Sequence, residues 1–145
     1  MGRSADMTAV ADVIDRLSMW LRREVRHGVS TSTITTLDTL LANGPMRVSD
    51  LAEREAISQP GMTTLINRLE HAGQAERVAD PTDGRATLVR ITEVGRDVLR
   101  ERHLARTERL QLELQHLDDD DRAALAAAVP AIARLVARTS QRVDA

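Results

Sequence analysis

The chain contains no cysteine, no phenylalanine and no tyrosine, and Trp20 is its single tryptophan. Without cysteine there can be no disulfide, no thiolate nucleophile and no cysteine-bound zinc. Without further aromatic rings there is no platform on which single-stranded nucleic acid could stack its bases. These absences exclude a disulfide-stabilised scaffold, thiol chemistry and the common modes of single-strand binding.

Lysine and long apolar segments are missing as well. The 145 residues include 20 basic residues, all arginine, against 22 acidic ones, for a net charge of −2. An anionic partner must therefore meet arginines gathered on one face. No apolar run approaches the roughly 20 residues that span a bilayer, and the N-terminus MGRSAD lacks the apolar core of a signal peptide. We expect one cytoplasmic domain with no membrane partner.

No pattern of residues indicates catalysis, a cofactor or a metal. The four histidines, at positions 27, 71, 103 and 116, show no ligand spacing. Four consecutive aspartates, residues 118–121, suit the N-terminus of a helix better than a cation site. Nucleophile–base pairs and phosphate-binding glycine loops are also missing. We expect a protein that is not an enzyme and needs no cofactor.

Apolar residues at intervals of three and four predict long helices near both ends of the chain. The first runs from Met7 to about Arg26, and a shorter one, capped by Thr31 or Ser32, ends at Asn43-Gly44-Pro45. The C-terminal part predicts a long helix capped by Thr92 and an alanine-rich last helix, which Pro130 should kink or interrupt. The apolar stripes of these helices need cover. A partner chain is the simplest cover, and folding back onto their own lobe is the alternative.

The middle of the chain predicts two helices followed by a hairpin. A helix from about Val48 to Glu55 precedes a second one, which Ser58 caps and Gly73 closes. In the second helix Met62, Leu65, Ile66 and Leu69 form the buried stripe. Strands at 75–79 and 86–91 then flank the turn DPTDGR. A helix beside an arginine-tipped hairpin is shaped to touch two neighbouring grooves of double-stranded DNA.

Polar residues opposite the buried stripe form the candidate DNA-reading face. They offer amide, hydroxyl and guanidinium groups that can meet base edges and phosphates in a major groove, and they include Gln59, Gly61, Thr63, Thr64, Asn67, Arg68 and His71. An ordinary solvent-exposed helix would also be polar here, so this face alone does not indicate DNA binding. The hairpin that follows favours the DNA-binding interpretation. Arg85 at its tip and Arg77 and Arg90 on its strands place cations where a minor groove would lie. Asp83 should orient the hairpin rather than touch DNA.

The same residues resemble the MarR family of winged-helix regulators over roughly Leu41 to Leu99. VSDLAERE and ISQPGMTTLINRLEHAG look like the family's helix-turn-helix, DPTDGR like its wing, and ITEVGRDVL like the start of its fifth helix. The resemblance implies a mainly α (α+β) fold in a single domain. In it a winged helix-turn-helix lobe with a two-stranded wing, residues 31–98, is flanked by helical dimerisation segments, residues 1–30 and 99–145.

By position, the resemblance implies a major-groove set, a wing-tip contact at Arg85 and a structural role for Asp83. The major-groove set comprises Ser58, Gln59, Gly61, Thr63, Thr64, Asn67 and Arg68. Gly61 and Thr64 depart from the residues common there, and Arg47 stands where a capping threonine is usual, so Arg47 is a candidate phosphate contact. The resemblance further implies a homodimer on a pseudo-palindromic operator and repression relieved by a small molecule.

Two questions stay open at this level. Arg16, Trp20 and Arg23 can hold a flat anionic effector by stacking and charge, yet Trp20 has the helical spacing of a core residue. The winged helix can alternatively serve as a protein–protein adaptor with no operator of its own. Binding to the chain's own upstream DNA would separate that alternative from a regulator.

Overall fold

The computed structural model describes residues 2–24 and 28–143. Their elements, in chain order, are α1 (Gly2–Glu24), α2 (Thr31–Asn43), α3 (Val48–Arg54), α4 (Gln59–His71), β1 (Ala75–Ala79), β2 (Thr87–Ile91), α5 (Glu93–Leu114) and α6 (Asp119–Val143). This is the expected mainly helical fold with a two-stranded wing. The described chain divides into two compact units between Arg106 and Thr107. None of the described helices is both long and apolar enough to cross a membrane.

The helix ends follow local capping chemistry, with one correction. The cap of α2 is Ser30, whose Oγ accepts from Thr33 N at 3.2 Å, and not Thr31 or Ser32. Pro130 lies inside α6 without interrupting it. The aspartate run does open α6, because Asp118 accepts from the amide of Asp121 at 2.8 Å.

The first helix begins earlier than Met7, at Gly2, since no proline stops it there. Its expected end at Val25 and Arg26, like His27 beyond it, lies outside the described residues.

The core of the winged lobe forms around α4. Its stripe of Met62, Leu65, Ile66 and Leu69 is buried, as the periodicity predicts. Residues of α2, α3 and the wing complete the cluster, among them Leu37, Leu40, Leu51, Ala75, Val89 and Ile91. Because the apolar side of α4 is fixed inward, its polar side must face solvent.

The wing is an antiparallel hairpin attached to the loop before α3. β1 pairs with β2 in a register that places Arg77 opposite Val89. Met46 extends this sheet, because its amide donates to Val89 O at 2.9 Å and its carbonyl accepts from Val89 N at 2.7 Å. The middle of β2 is therefore paired on both sides, with β1 on one side and Met46 on the other.

The first turn of α5 packs closely on the turn between α4 and β1. Thr92 donates its amide to Gln74 O at 3.1 Å and its hydroxyl to Gly73 O at 2.5 Å, while its oxygen accepts from Gly95 N at 3.2 Å. Thr92 thus caps α5, as expected. Gly95 is buried because α5 approaches this turn so closely.

Candidate nucleic-acid interface

The outward face of α4 begins at a helix cap that explains its glycine. Ser58 Oγ accepts from Gly61 N at 3.2 Å, and Pro60 occupies the first turn, where no amide donor is needed. A Cβ on Gly61 would stand 3.0 Å from Ser58 Oγ and 3.2 Å from Ile57 Cγ2. Gly61 therefore belongs to the cap and offers this face backbone alone.

The next residues of the face are exposed, with their hydroxyl groups turned back to the helix. Thr63 donates to Gln59 O at 2.9 Å and Thr64 donates to Pro60 O at 3.0 Å. Their oxygens and methyl groups remain available at the surface, where a methyl can meet a thymine methyl. Gln59, Asn67 and Arg68 are also exposed, so the structure brings the predicted reading residues together on one surface.

The arginines predicted to touch DNA divide into paired and unpaired groups. Arg90 pairs with Glu76 at 2.8 Å, and Arg77 pairs with Glu70. In the described part of the chain, the exposed Arg68 and Arg85 side chains form no ion pair. Among the arginines predicted to touch DNA, Arg68 on the face of α4 and Arg85 at the wing tip therefore keep guanidinium groups that are free to meet phosphate.

Asp80 anchors the wing to the helix-turn-helix, a role that the sequence reading missed. Its side chain is 8% exposed. Oδ1 accepts from the Thr82 amide at 2.9 Å and the Thr82 hydroxyl at 2.7 Å, while Oδ2 accepts from Arg47 Nη2 at 3.1 Å. These bonds, those from Thr82 first, lower the pKa of Asp80 to about 2. The signal in the sequence is the Asp-Pro-Thr turn, in which aspartate bonds its own backbone two residues on.

Arg47 and Asp83 belong to the same anchor. Arg47 stands at the N-cap position of α3 without a capping side-chain bond, and its Nη2 lies 3.6 Å from Asp83 Oδ2. Asp80 raises the pKa of Arg47. Asp83 also accepts from the Arg85 amide at 3.1 Å, so it holds the backbone of the wing tip. The guanidinium of Arg47, expected at a phosphate, is thus engaged by two wing carboxylates.

We expect Asp80→Asn to lower the free energy of unfolding at neutral pH and to lose this effect in acid. The folded-state pKa of about 2 lies below the ordinary 3.8, so the charged form stabilises the fold above pH 4 and the contribution disappears as pH falls toward 2. Urea unfolding of both proteins between pH 6 and pH 2 measures the difference. A gap that stays constant over this range would contradict the anchor.

The candidate effector residues are also close together. Arg16, Trp20 and Arg23 line a surface cavity of about 370 Å³ with Met19 and Glu24. Trp20 is half-buried. A second cavity, of about 450 Å³, was not foreseen, and it is lined by Leu41, Arg96, Leu99, Arg100, His103 and Leu104. Within the described ranges, no group of three or more acidic or histidine side chains is arranged to hold a metal ion.

Comparison with known proteins agrees with this geometry. The profile of the MarR family matches residues 29–87. The chain is 35% identical over 122 residues to the HTH-type transcriptional regulator ML2140 of Mycobacterium leprae, an alignment that covers 83% of this chain and 85% of that protein.

Two solved structures share the fold. The transcriptional regulator Tm0710 of Thermotoga maritima superposes with a TM-score of 0.76 at 20% identity, over 94% of this chain and 96% of that one. A MepR mutant of S. aureus bound to an oligodeoxyribonucleotide gives a TM-score of 0.62 at 15% identity, over 94% and 99% of the two chains. The chain therefore belongs to the MarR family of DNA-binding winged helix-turn-helix transcriptional regulators.

Proposed function

We propose that this regulator binds a pseudo-palindromic operator as a homodimer and represses transcription by occupying it. The observation that carries this proposal is that one lobe holds both the exposed polar face of α4 and, at the wing tip, an Arg85 side chain that forms no ion pair within the described residues. α4 would enter a major groove while Arg85 contacts the phosphate backbone beside the neighbouring minor groove. The MepR mutant, a protein of the same fold, is bound to an oligodeoxyribonucleotide, which supports this use of the lobe.

Exposed apolar residues on the terminal helices support the homodimer. Large side chains on α1 and α6 are between two-fifths and two-thirds exposed in the single chain, among them Met7, Val10, Val13, Leu17, Leu125, Val129, Ile132, Leu135 and Val136. Such stripes are the usual interface of paired helices. Residues 1–30 and 99–145 would then join two lobes formed by residues 31–98. The two α4 helices would lie about 34–36 Å apart, one turn of DNA, or a near multiple.

Release by a small anionic ligand completes the proposal. The cavity lined by Arg16, Trp20 and Arg23 offers two guanidinium groups and one aromatic ring. Nearby carboxylates moderate its charge, because Arg16 lies 3.9 Å from Asp12 and Glu24 lines the same cavity. A ligand bound there should change the fluorescence of Trp20, the chain's single tryptophan.

Footprinting on DNA taken from upstream of the chain's own coding sequence tests the proposal. A protected region with two half-sites about one helical turn apart supports it, and a reporter placed behind that region should be less active when the protein is present. A reporter that becomes more active would overturn repression. Failure to bind any duplex would favour the protein–protein adaptor instead.

We expect Arg85→Ala to weaken binding to operator and random DNA alike. Removing one phosphate contact from each wing of a dimer makes the slope of log affinity against log salt shallower by about 2. Titrations at several salt concentrations measure this slope. Gln59→Ala is the comparison variant, since it should relax base preference and leave the slope unchanged. An Arg85→Ala loss confined to the operator would contradict the assignment of Arg85 to the backbone.

A further inference from the structure

A strand residue of the wing reaches back to the reading face of α4. Arg77, in the middle of β1, donates from Nη2 to Asn67 Oδ1 at 3.0 Å, and its Nη1 pairs with the carboxylate of Glu70. The side chains of Arg77 and Glu70 are only 34% and 28% exposed. Asn67 is thus held from the side by a guanidinium that is itself anchored.

This contact decides which way the Asn67 amide points. A guanidinium has only donors, so the amide atom that faces Arg77 must be the oxygen. The amide nitrogen of Asn67 then points away, with two hydrogens to donate. An asparagine without such a partner could present either group to a base.

The same contact removes Arg77 from the set of phosphate ligands. Glu70 balances its charge, and both terminal nitrogens are already engaged. A salt-bridged and partly buried cation contributes little to the release of counterions from DNA. We therefore look for the function of Arg77 in its contact with Asn67.

We propose that Arg77 is a positioning residue for base recognition, which fixes Asn67 as a hydrogen-bond donor toward the major groove without itself touching DNA. This rests on the proposed entry of α4 into that groove. A donor there fits the acceptors of guanine, adenine N7 and thymine O4, whereas cytosine presents its N4 donor. The operator position that Asn67 reaches should accordingly exclude cytosine on the contacted strand.

Selection of bound duplexes from a random library, followed by sequencing, measures base preference at every position. Arg77→Lys keeps the charge but lacks the planar fork needed to hold Glu70 and Asn67 together. We expect it to reduce discrimination against cytosine about tenfold at one position of each half-site. Preferences at the other positions and the salt dependence on random DNA should not change. Asn67→Ala should act at the same position, and adding Arg77→Lys to it should cause no further loss.

A charge-balanced pair and a matched control separate positioning from electrostatics. Glu70→Gln with Arg77→Met removes one charge of each sign, so the net charge of the lobe is kept. Glu76→Gln with Arg90→Met removes an ion pair 2.8 Å long whose partners both lie on the wing strands, whereas Glu70 of the first pair lies on α4. Any change in affinity from this control should apply to all sequences alike. If circular dichroism shows that the first pair does not fold, Arg77→Lys decides the question.

Different results would overturn the two proposals separately. Equal loss on all sequences with a shallower salt slope would make Arg77 a phosphate contact, and additive effects of Arg77 and Asn67 would mean that they act independently. Either result rejects the positioning role while operator binding stands. A wild-type protein that selects no duplex from the library would instead reject operator binding, and the role of Arg77 with it.

Discussion

Gly95→Ala is expected to lower the free energy of unfolding by about 3 kcal/mol, near the upper end for overpacked sites. A Cβ at this buried position would lie 2.2 Å from the carbonyl oxygen of Gln74 and 2.8 Å from Ile91 Cγ1. The oxygen belongs to the backbone and already accepts from the amide of Thr92. It cannot move away without breaking this bond to Thr92, the residue that caps α5.

Thermal and urea unfolding at one fixed protein concentration measure this effect, because the stability of the proposed dimer would depend on concentration. For a chain of this size the loss corresponds to a fall in Tm of roughly 10 °C. Gly84→Ala is the matched control, since a Cβ there meets nothing within 4 Å. It should change stability by less than about 1 kcal/mol, in the stabilising direction. Equal stability of the two variants would show that α5 can shift away from the turn.

Local patterns were sufficient for the winged lobe because its signals lie within short stretches of sequence. The period of Met62, Leu65, Ile66 and Leu69 fixes which side of α4 is buried, and Ser58 marks where that helix begins. The cap of α2 was placed wrongly because neighbouring hydroxyl residues all satisfy the capping rule. The extended backbone at Ser30 identifies this residue as the cap, because Thr31 and Ser32 already lie within the helix.

Pairings between distant residues could not be read from the sequence. Arg47 and Asp80 are 33 positions apart, and their bond exists only because the wing folds back onto the start of α3. Arg77 likewise meets Asn67 only through the turn that joins α4 to β1. Sequence spacing identifies arginines on the wing, but the folded chain determines which of them are neutralised. That distinction changes the expected DNA contacts.

Val129→Asp is expected to dissociate the proposed homodimer and to abolish binding to the proposed operator at concentrations where the wild type is bound. Val129 is 59% exposed in the single chain. Leu125, Ile132 and Val136 share its face of α6, at spacings of three and four residues. An aspartate at the centre of this stripe would bury an unpaired carboxylate, at about 3–5 kcal/mol. Symmetry places the charge on both protomers, so the dimer Kd should rise at least a hundredfold.

Ala127→Asp is the matched control because it adds the same charge to the same helix about 200° around the axis. It should remain dimeric and bind the operator. Sedimentation at micromolar concentration measures association, and circular dichroism checks that α6 persists in both variants. In a dimer, binding of the first lobe to one half-site makes binding of the second lobe to the other half-site an intramolecular step. Two separate lobes lack this advantage and bind the operator far more weakly. A Val129→Asp protein that stays dimeric and fully active would move the interface away from this face of α6.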